Sequence, residues 1–357
     1  MSPSLDLVRR LGLRHPIIQG PFGGGLSTVR LVAAAADAGG LGSYGAHLLA
    51  PEEILRLSSD IRAATPGPFA LNLWVSNDDA PGRVLDPAEH ADMCTRLAEA
   101  HAELGLPCPP LLTEPLPVAA DFEAQADAVI AARPAVFSFV FGVPSSAILR
   151  ACRDCGIITV GAATTVEEAV TLEAAGVDAV VATGFEAGGH RPSFMRAAEE
   201  SLHGTLALVP RVAARVRIPV IAAGGIADAR GVRSALALGA QAVQIGTAFL
   251  ACEESGAGDA HRERLLAGEQ AGDSRLTRAV TGRLARFLPN RLLECLEAGP
   301  NLPYPRPSWF TSPLKRAAIA QGRAEWIPLY AGQAAPLLRH RKAAELMTAL
   351  CEGAAKR

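Results

Sequence analysis

Short apolar runs alternate with longer amphipathic stretches along most of this chain. Each run is rich in valine, isoleucine or alanine and ends in small residues, a pattern typical of a buried parallel strand followed by a turn. The stretches between them have helical spacing; one begins after Asp228, a good N-cap, and ends at Gly239. The predicted strands are Pro16–Phe22, Leu41–Gly45, Phe69–Val75, Val136–Gly142, Ile157–Ala163, Ala179–Ala182, Pro219–Ile226 and Ala242–Leu250.

Eight strands alternating with helices predict an α/β protein with a parallel sheet. The count of eight and the small residues at the strand ends favour a closed (β/α)8 TIM barrel over an open, doubly wound sheet. We expect the barrel to occupy residues 1–252 and a C-terminal helical and loop extension, 253–357, to pack on it. Residues 76–135, after strand 3, exceed an ordinary connection and are expected to lie over the barrel mouth. Trp309 and Phe310 of the extension are candidates for a pocket wall.

Composition and charge exclude several classes of protein. The chain has 357 residues, 49% hydrophobic and 20% charged, with a net charge of -2, so it lacks the basic surface of a nucleic-acid-binding protein. Charges, prolines and glycines interrupt every apolar stretch before it could span a bilayer. The first residues, which include Asp6 and Arg9, do not form the apolar core of a signal peptide. We therefore expect a cytoplasmic protein without a membrane or nucleic-acid partner.

Two motifs match a known pattern in the wrong context. Gly40–Gly45 has the spacing G-x-G-x-x-G, but a dinucleotide-binding loop follows a strand, and this copy follows a helix and is itself the strand. Cys152 and Cys155 have C-x-x-C spacing within a predicted helix, with no second pair nearby. We therefore predict neither a nicotinamide fingerprint nor a metal site, and expect the seven cysteines to be reduced.

The stretch Ala179–Arg191 is the strongest candidate for chemistry. Its strand ends at Thr183, and Gly188-Gly189 then precede His190. Paired glycines allow the backbone to approach a ligand closely, and a histidine can transfer protons near neutral pH. A solvated loop is the alternative, but the strand and the glycine pair favour a site with His190 as its catalytic residue.

A second candidate is an anion site at the ends of strands 7 and 8. Barrel enzymes bind ligands at the carboxyl ends of the strands, and a phosphate commonly lies on the last two loops. Here those loops begin with Gly224-Gly225 and Gly246-Thr247. Backbone N–H groups and the Thr247 hydroxyl would donate to the phosphate, although two tight turns without a ligand would have the same sequence.

Several segments resemble the nitronate monooxygenase family, formerly called 2-nitropropane dioxygenases. The resemblance runs in order along nearly the whole chain. Enoyl-acyl-carrier-protein reductases that use flavin, and some NADH:quinone reductases, share the barrel, the FMN site and the Gly-Gly-His element. The matching segments are LNLWV with Asn72, EAGGHR at 186–191, AAGGI at 222–226, QIGT at 244–247, TGRLARFLPNRLLE at 281–294 and YAGQAAPLLRHRKAAELM at 330–347.

The resemblance implies non-covalently bound FMN. It makes His190 the base or the group that orients the nitro oxygens, whereas we interpret Glu186 as structural. Thr183 stands where many family members have glutamine, so a hydrogen bond to flavin or substrate is lost or passes through water. The residues implied to hold the cofactor are Gln19, Gly20, Pro21, Phe22, Asn72, Thr183, Gly188, Gly189, Ala223, Gly224, Gly225, Gln244, Gly246 and Thr247.

The implied reaction is oxidative denitrification of an alkyl nitronate, and of a nitroalkane after deprotonation, by O2 to a carbonyl compound and nitrite. The alternative is an NAD(P)H-dependent flavin reductase of an enoyl thioester or quinone. The expected partners are the small nitro compound and O2, with a homodimer as one assembly to test.

Overall fold

Eight parallel strands form the barrel that the sequence predicts. The computed structural model describes residues 7–75, 85–111 and 121–355. A two-residue strand, β7 (Gly189–His190), lies between β6 and β8 in the chain and belongs to a second sheet. The barrel strands are β1 (Ile17–Gln19), β2 (Gly42–Gly45), β3 (Phe69–Trp74), β4 (Val136–Val140), β5 (Ile158–Ala163), β6 (Ala179–Thr183), β8 (Val220–Ala223) and β9 (Ala242–Ile245).

The strands follow one another around the ring in the order β1-β9-β8-β6-β5-β4-β3-β2. The ring closes where Ile18 of β1 pairs in parallel with Leu41, just before β2. Leu41 N donates to Ile17 O at 3.0 Å, and Gln19 N donates to Leu41 O at 2.9 Å. Because the ring closes at this point, neither β1 nor β2 is left as a free sheet edge.

Helices surround the barrel and extend past it. Asp228 caps α10, as predicted, by accepting from the N–H groups of Arg230 and Gly231, and Gly239 follows that helix with φ +101°. The helices are α1 (Leu7–Arg10), α2 (Val29–Asp37), α3 (Pro51–Ala64), α4 (Pro87–Arg96), α5 (Ala98–Leu104), α6 (Phe122–Ala132), α7 (Ser146–Asp154), α8 (Val166–Ala174), α9 (Thr205–Ala213), α10 (Ala229–Ala237), α11 (Thr247–Leu250), α12 (Asp259–Leu265), α13 (Arg291–Glu297), α14 (Arg306–Ala320) and α15 (Ala343–Ala355).

Side chains alternate between the barrel interior and the helical layer. In β6, Ala179 and Val181 pack inside the barrel, whereas Val180 and Ala182 pack against the helices. Leu7 and Leu11, in and just after α1, join the interior cluster among residues at the strand starts. Because apolar side chains fill the amino end, the carboxyl ends of the strands are left for a site.

The C-terminal extension contributes a small antiparallel sheet and four helices. Strand β11 (Ala285–Phe287) pairs with β10 (Arg275–Thr277) on one side and with β7 on the other. Farther along, α15 packs against α10 and α2 of the barrel. The extension therefore reaches both the strand that carries His190 and the outer helical layer.

Three expectations differ from the structure. The predicted eighth strand ends at Ile245, and the apolar residues after it form α11. Cys94 and Cys108 form a disulfide, so the expectation that all cysteines are reduced is wrong. Phe310 lies fully buried in the hydrophobic core, whereas its neighbour Trp309 lines the cavity described below.

Part of the segment between β3 and β4 cannot be compared with the prediction. Residues 76–84 and 112–120 lie outside the described residues. Between them, α4 packs against α13 and α5 packs against α14, both helices of the C-terminal extension. In the described parts of the chain, none of the helices combines the length and the apolarity that crossing a membrane requires.

Candidate active site

A cavity of about 740 Å³ opens at the carboxyl ends of the barrel strands. Its size lies within the range of small-molecule sites. The barrel strands and the C-terminal extension both supply its walls. All the predicted site residues except Gln19 line it: Gly20, Pro21, Phe22, Asn72, Thr183, Gly188, Gly189, His190, Ala223, Gly224, Gly225, Gln244, Gly246 and Thr247.

Gln19 points elsewhere. Its side chain is fully buried, its Oε1 accepts from Ser43 N at 2.8 Å, and its Nε2 donates to Gly20 O. The amide thus satisfies backbone groups where β1 and β2 meet at the closure of the barrel. The Gln19 side chain therefore does not line the cavity, and a contact between this residue and the cofactor stays a prediction.

The two glycine-containing loops after β8 and β9 have the geometry of an anion cradle. Gly224 and Gly225 adopt φ of +103° and +70°, which favours glycine. A Cβ on Gly224 would lie 3.0 Å from Gly184 O, so a side chain there would also be crowded. In the next loop, the Thr247 hydroxyl accepts from Gly332 N at 2.9 Å, which leaves its own hydrogen for another acceptor. A phosphate fits these donors.

His190 is held where β7 meets the extension. Its partner in the sheet is Ala285 of β11, and its Nε2 lies 3.0 Å from Thr281 Oγ1. The ring meets Trp74 edge-on, with centroids 5.0 Å apart. A second histidine, His47, stacks on Trp74 at 4.1 Å and is nearly parallel to it. The two imidazoles thus share one aromatic neighbour in the cavity wall.

Burial changes the acid–base character of these groups. The pKa of His190 is lowered to about 3, first by burial, then by His47 in its protonated form and by the guanidinium of Arg283. Burial also lowers the pKa of His47 to about 4, and raises that of Tyr330 to about 12. At neutral pH His190 is therefore uncharged, and one of its ring nitrogens can accept a proton.

Arg283 brings a positive charge behind the cavity wall. Its guanidinium lies over the rings of Phe141, Tyr304 and Trp74, with distances of 4.3, 4.4 and 5.3 Å to the ring centroids. Aromatic faces attract a cation and replace part of the hydration that a buried guanidinium loses. The resulting positive potential favours an anionic ligand in the cavity.

The loops on either side of the Gly-Gly-His element are anchored by hydrogen bonds. Glu186 accepts from Thr205 N at 2.8 Å and from Thr205 Oγ1 at 3.1 Å, which agrees with its interpretation as a structural residue. The buried guanidinium of Arg191 donates to Thr183 O and Ser201 O. These bonds fix the backbone around His190 and limit its freedom to move.

Residues that the sequence did not single out complete the cavity. Trp74 lay at the carboxyl end of a predicted strand, in a segment that carries the family resemblance. Most of the others come from the extension. Thr281 and Tyr330 each begin a segment that carries the resemblance, but nothing in those segments marked them as site residues. These lining residues are His47, Trp74, Phe141, Thr281, Tyr304, Lys315 and Tyr330.

A closed (β/α)8 barrel with a cavity at the strands' carboxyl ends, lined by aromatic, glycine and a few polar residues, defines a barrel enzyme. The family model described as nitronate monooxygenase matches residues 6–353 of the chain. The chain therefore belongs to the nitronate monooxygenase family, and it is an oxidoreductase. Membership of this family implies a flavin cofactor.

Individual proteins agree with that assignment. The chain is 44% identical over 347 residues to a nitronate monooxygenase from Pseudomonas aeruginosa, covering 96% of this chain and 97% of the relative. Among solved structures, nitroalkane oxidase from Streptomyces ansochromogenes superposes with a TM-score of 0.85 at 36% identity, covering 96% of each chain. FabK from Thermotoga maritima is less similar, with a TM-score of 0.72 and 25% identity over 98% of this chain and 96% of that one.

Proposed function

We propose that this protein catalyses the FMN-dependent oxidation of alkyl nitronates by O2 to a carbonyl compound and nitrite. It also accepts neutral nitroalkanes once their α-proton has been removed. The observation that carries the proposal is an uncharged histidine, His190, in a cavity that also has an anion cradle. The names of the similar proteins, nitronate monooxygenase and nitroalkane oxidase, point to the same substrates.

FMN is the flavin that fits the cavity. The loops that begin at Gly224 and Gly246 would hold its terminal phosphate, and Pro21, Phe22 and Asn72 would lie along the ring system. When bound, FMN supplies the redox chemistry that side chains lack, since flavin accepts electrons from the nitronate and passes reducing equivalents to O2. The volume of about 740 Å³ leaves room beside the cofactor for a small substrate.

The protein's own residues supply the proton chemistry and the electrostatics. A neutral His190 has the lone pair that removal of an α-proton needs. The nitronate formed is an anion, and the nearby guanidinium of Arg283 favours it. An anion beside the ring would in turn raise the pKa of His190, because an opposite charge stabilises the imidazolium. The aromatic wall around Trp74 limits the access of water to these groups.

The test is the substitution His190→Asn, measured with both kinds of substrate. Turnover of a neutral nitroalkane should fall by roughly 10²–10⁴-fold, the usual effect of a positioned general base. Turnover of the preformed nitronate should fall less, by about 1–3 kcal/mol, because only an orienting hydrogen bond is lost. His15→Asn, before β1 at the amino end of the barrel, is the matched control and should leave both rates unchanged.

One result would overturn the role of His190 as a base, and another would overturn the proposed reaction. If both substrates lose the same factor in His190→Asn, the histidine orients the substrate and is not a base. The protein is instead a flavin reductase if NADH reduces the flavin rapidly under anaerobic conditions while neither the nitroalkane nor the nitronate is turned over. The same anaerobic mixing with propionate-3-nitronate should reduce the flavin if the proposal is right. A homodimer and a cytoplasmic location stay predictions.

A further inference from the structure

We propose that Thr281 is a positioning residue that holds His190 in the tautomer with the proton on Nε2, and so leaves Nδ1 as the nitrogen that accepts a proton. The inference rests on the proposed role of His190 as a base. It assigns a function to a residue of the C-terminal extension and a role to each nitrogen of the ring.

Three polar groups meet the Thr281 hydroxyl. Oγ1 lies 3.0 Å from His190 Nε2, 3.1 Å from the carbonyl oxygen of Arg283 and 3.3 Å from the backbone nitrogen of Arg283. The hydroxyl has one hydrogen to donate and two lone pairs with which to accept. The direction of each hydrogen bond can therefore be worked out.

The carbonyl oxygen of Arg283 can only accept, so it takes the hydroxyl hydrogen of Thr281. The N–H of Arg283 can only donate, so it uses one lone pair of Oγ1. The remaining lone pair faces His190 Nε2, which must then carry the proton of the ring. In the opposite arrangement, Oγ1 would donate to His190 Nε2, and the hydrogen bond from Oγ1 to the carbonyl oxygen of Arg283 would be lost, so the three groups would share one hydrogen bond fewer.

The surrounding backbone keeps these groups in register. Strand β11 follows Thr281 and pairs with β7 through Ala285 and His190, while Arg191 N donates to Leu284 O at 2.8 Å. The turn between Thr281 and β11 needs Gly282, which has φ +92°, because a Cβ there would lie 2.1 Å from Tyr304 N. The hydroxyl and the imidazole are thus held by two adjacent strands and one tight turn.

The tautomer decides whether the ring works as a base. A neutral imidazole has one nitrogen that donates and one that accepts, and only the second can take a proton. With Nε2 protonated, Nδ1 is always the acceptor. If the hydroxyl were lost, the ring would divide its population between two tautomers, and those molecules with a proton on Nδ1 could not act on the substrate.

The experiment measures the tautomer directly and then the rates. Ring nitrogen shifts of 15N-histidine-labelled holoenzyme at neutral pH should show a protonated Nε2 and an unprotonated Nδ1 for His190, whose signals are assigned as those missing from His190→Asn. Thr281→Val, which keeps the shape without the hydroxyl, should populate both tautomers and also free the ring from its fixed orientation. The two effects together should lower kcat for a nitroalkane by about 10–100-fold, less than the loss of the base itself. Preformed nitronate turnover should change little. Thr281→Ser, which retains the hydroxyl, should restore the wild-type tautomer and rate.

A wild-type His190 protonated on Nδ1 overturns the inference, and this measurement does not depend on any variant folding. An unchanged tautomer in Thr281→Val overturns it as well. Failure of the proposed function would give a different result. The tautomer would be as inferred, but the His190→Asn enzyme would keep its activity on nitroalkanes. The hydrogen-bond assignment would then be correct, and His190 would not be the base.

Discussion

Gly225→Ala tests whether the loop after β8 holds a phosphate. Gly225 has φ +70°, and its added Cβ would approach Glu186 Cβ no closer than 3.5 Å. That is an ordinary contact, so crowding within the protein contributes little. The cost is conformational, about 1–2 kcal/mol for an alanine in the left-handed region. If the loop relaxes to relieve this strain, its N–H groups turn away from the phosphate, and FMN affinity should fall at least about tenfold, or 1.4 kcal/mol.

Gly12→Ala is the matched control. Gly12 has φ +64° with nothing within 4 Å of the added Cβ, and it precedes β1 at the amino end of the barrel. We expect both variants to lose a similar free energy of unfolding without flavin, measured by urea titration of the apoprotein. Only Gly225→Ala should lose FMN affinity, measured by titrating the apoprotein and following flavin fluorescence.

Equal FMN affinity in the two variants would refute the assignment of this loop to the phosphate. FAD, or no flavin, in an extract of the denatured wild-type protein would refute the choice of FMN itself. An undiminished free energy of unfolding in both variants would show that the backbone argument is wrong.

Three further predictions follow from the electrostatics. Burial lowers the pKa of His47, His190 and His261. Below pH 6.5 the unfolded chain therefore binds more protons than the folded one, and each histidine should lower the free energy of unfolding by about 2 kcal/mol between pH 7 and pH 5. His261→Gln should reduce this pH dependence, measured by urea unfolding. Glu186→Gln should destabilise the protein by about 1–3 kcal/mol in the same assay, because it weakens a charge-assisted hydrogen bond. Arg283→Gln removes a charge that lowers the pKa of His190, so the acid limb of the kcat/KM profile for nitroalkanes should move to higher pH, and an unmoved limb would exclude this coupling.

The barrel was predictable because its signal is local. Each strand is a short apolar run, and most of the helices around the barrel have a capping side chain or a terminal glycine, as α10 has in Asp228 and Gly239. The same locality explains the error at Ala242–Leu250. Both β9 and α11 within it are mostly buried, and periodicity cannot separate a buried strand from a buried helix in so short a run.

The disulfide between Cys94 and Cys108 could not be predicted from local sequence patterns. The two cysteines are 14 residues apart, and their pairing depends on how α5 and the loop after it return to α4. The orientation of Gln19 is a similar case, because its partner, Ser43 N, lies on β2 and meets it only when the barrel closes. Neither contact can be predicted from the pattern of the neighbouring residues in the sequence.

The Gly-Gly-His element was enough to predict that His190 is the catalytic residue. The pKa and the tautomer of its ring, however, depend on residues far along the chain. Thr281, which contacts the ring, is 91 residues away, and Arg283 lies two residues beyond it. Both are brought to the ring by the pairing of β7 with β11, and β7 is only two residues long, too short for any periodicity to reveal. A substitution in β11 or the turn before it should therefore change the pKa and the tautomer of the histidine while the motif that identifies the site stays intact.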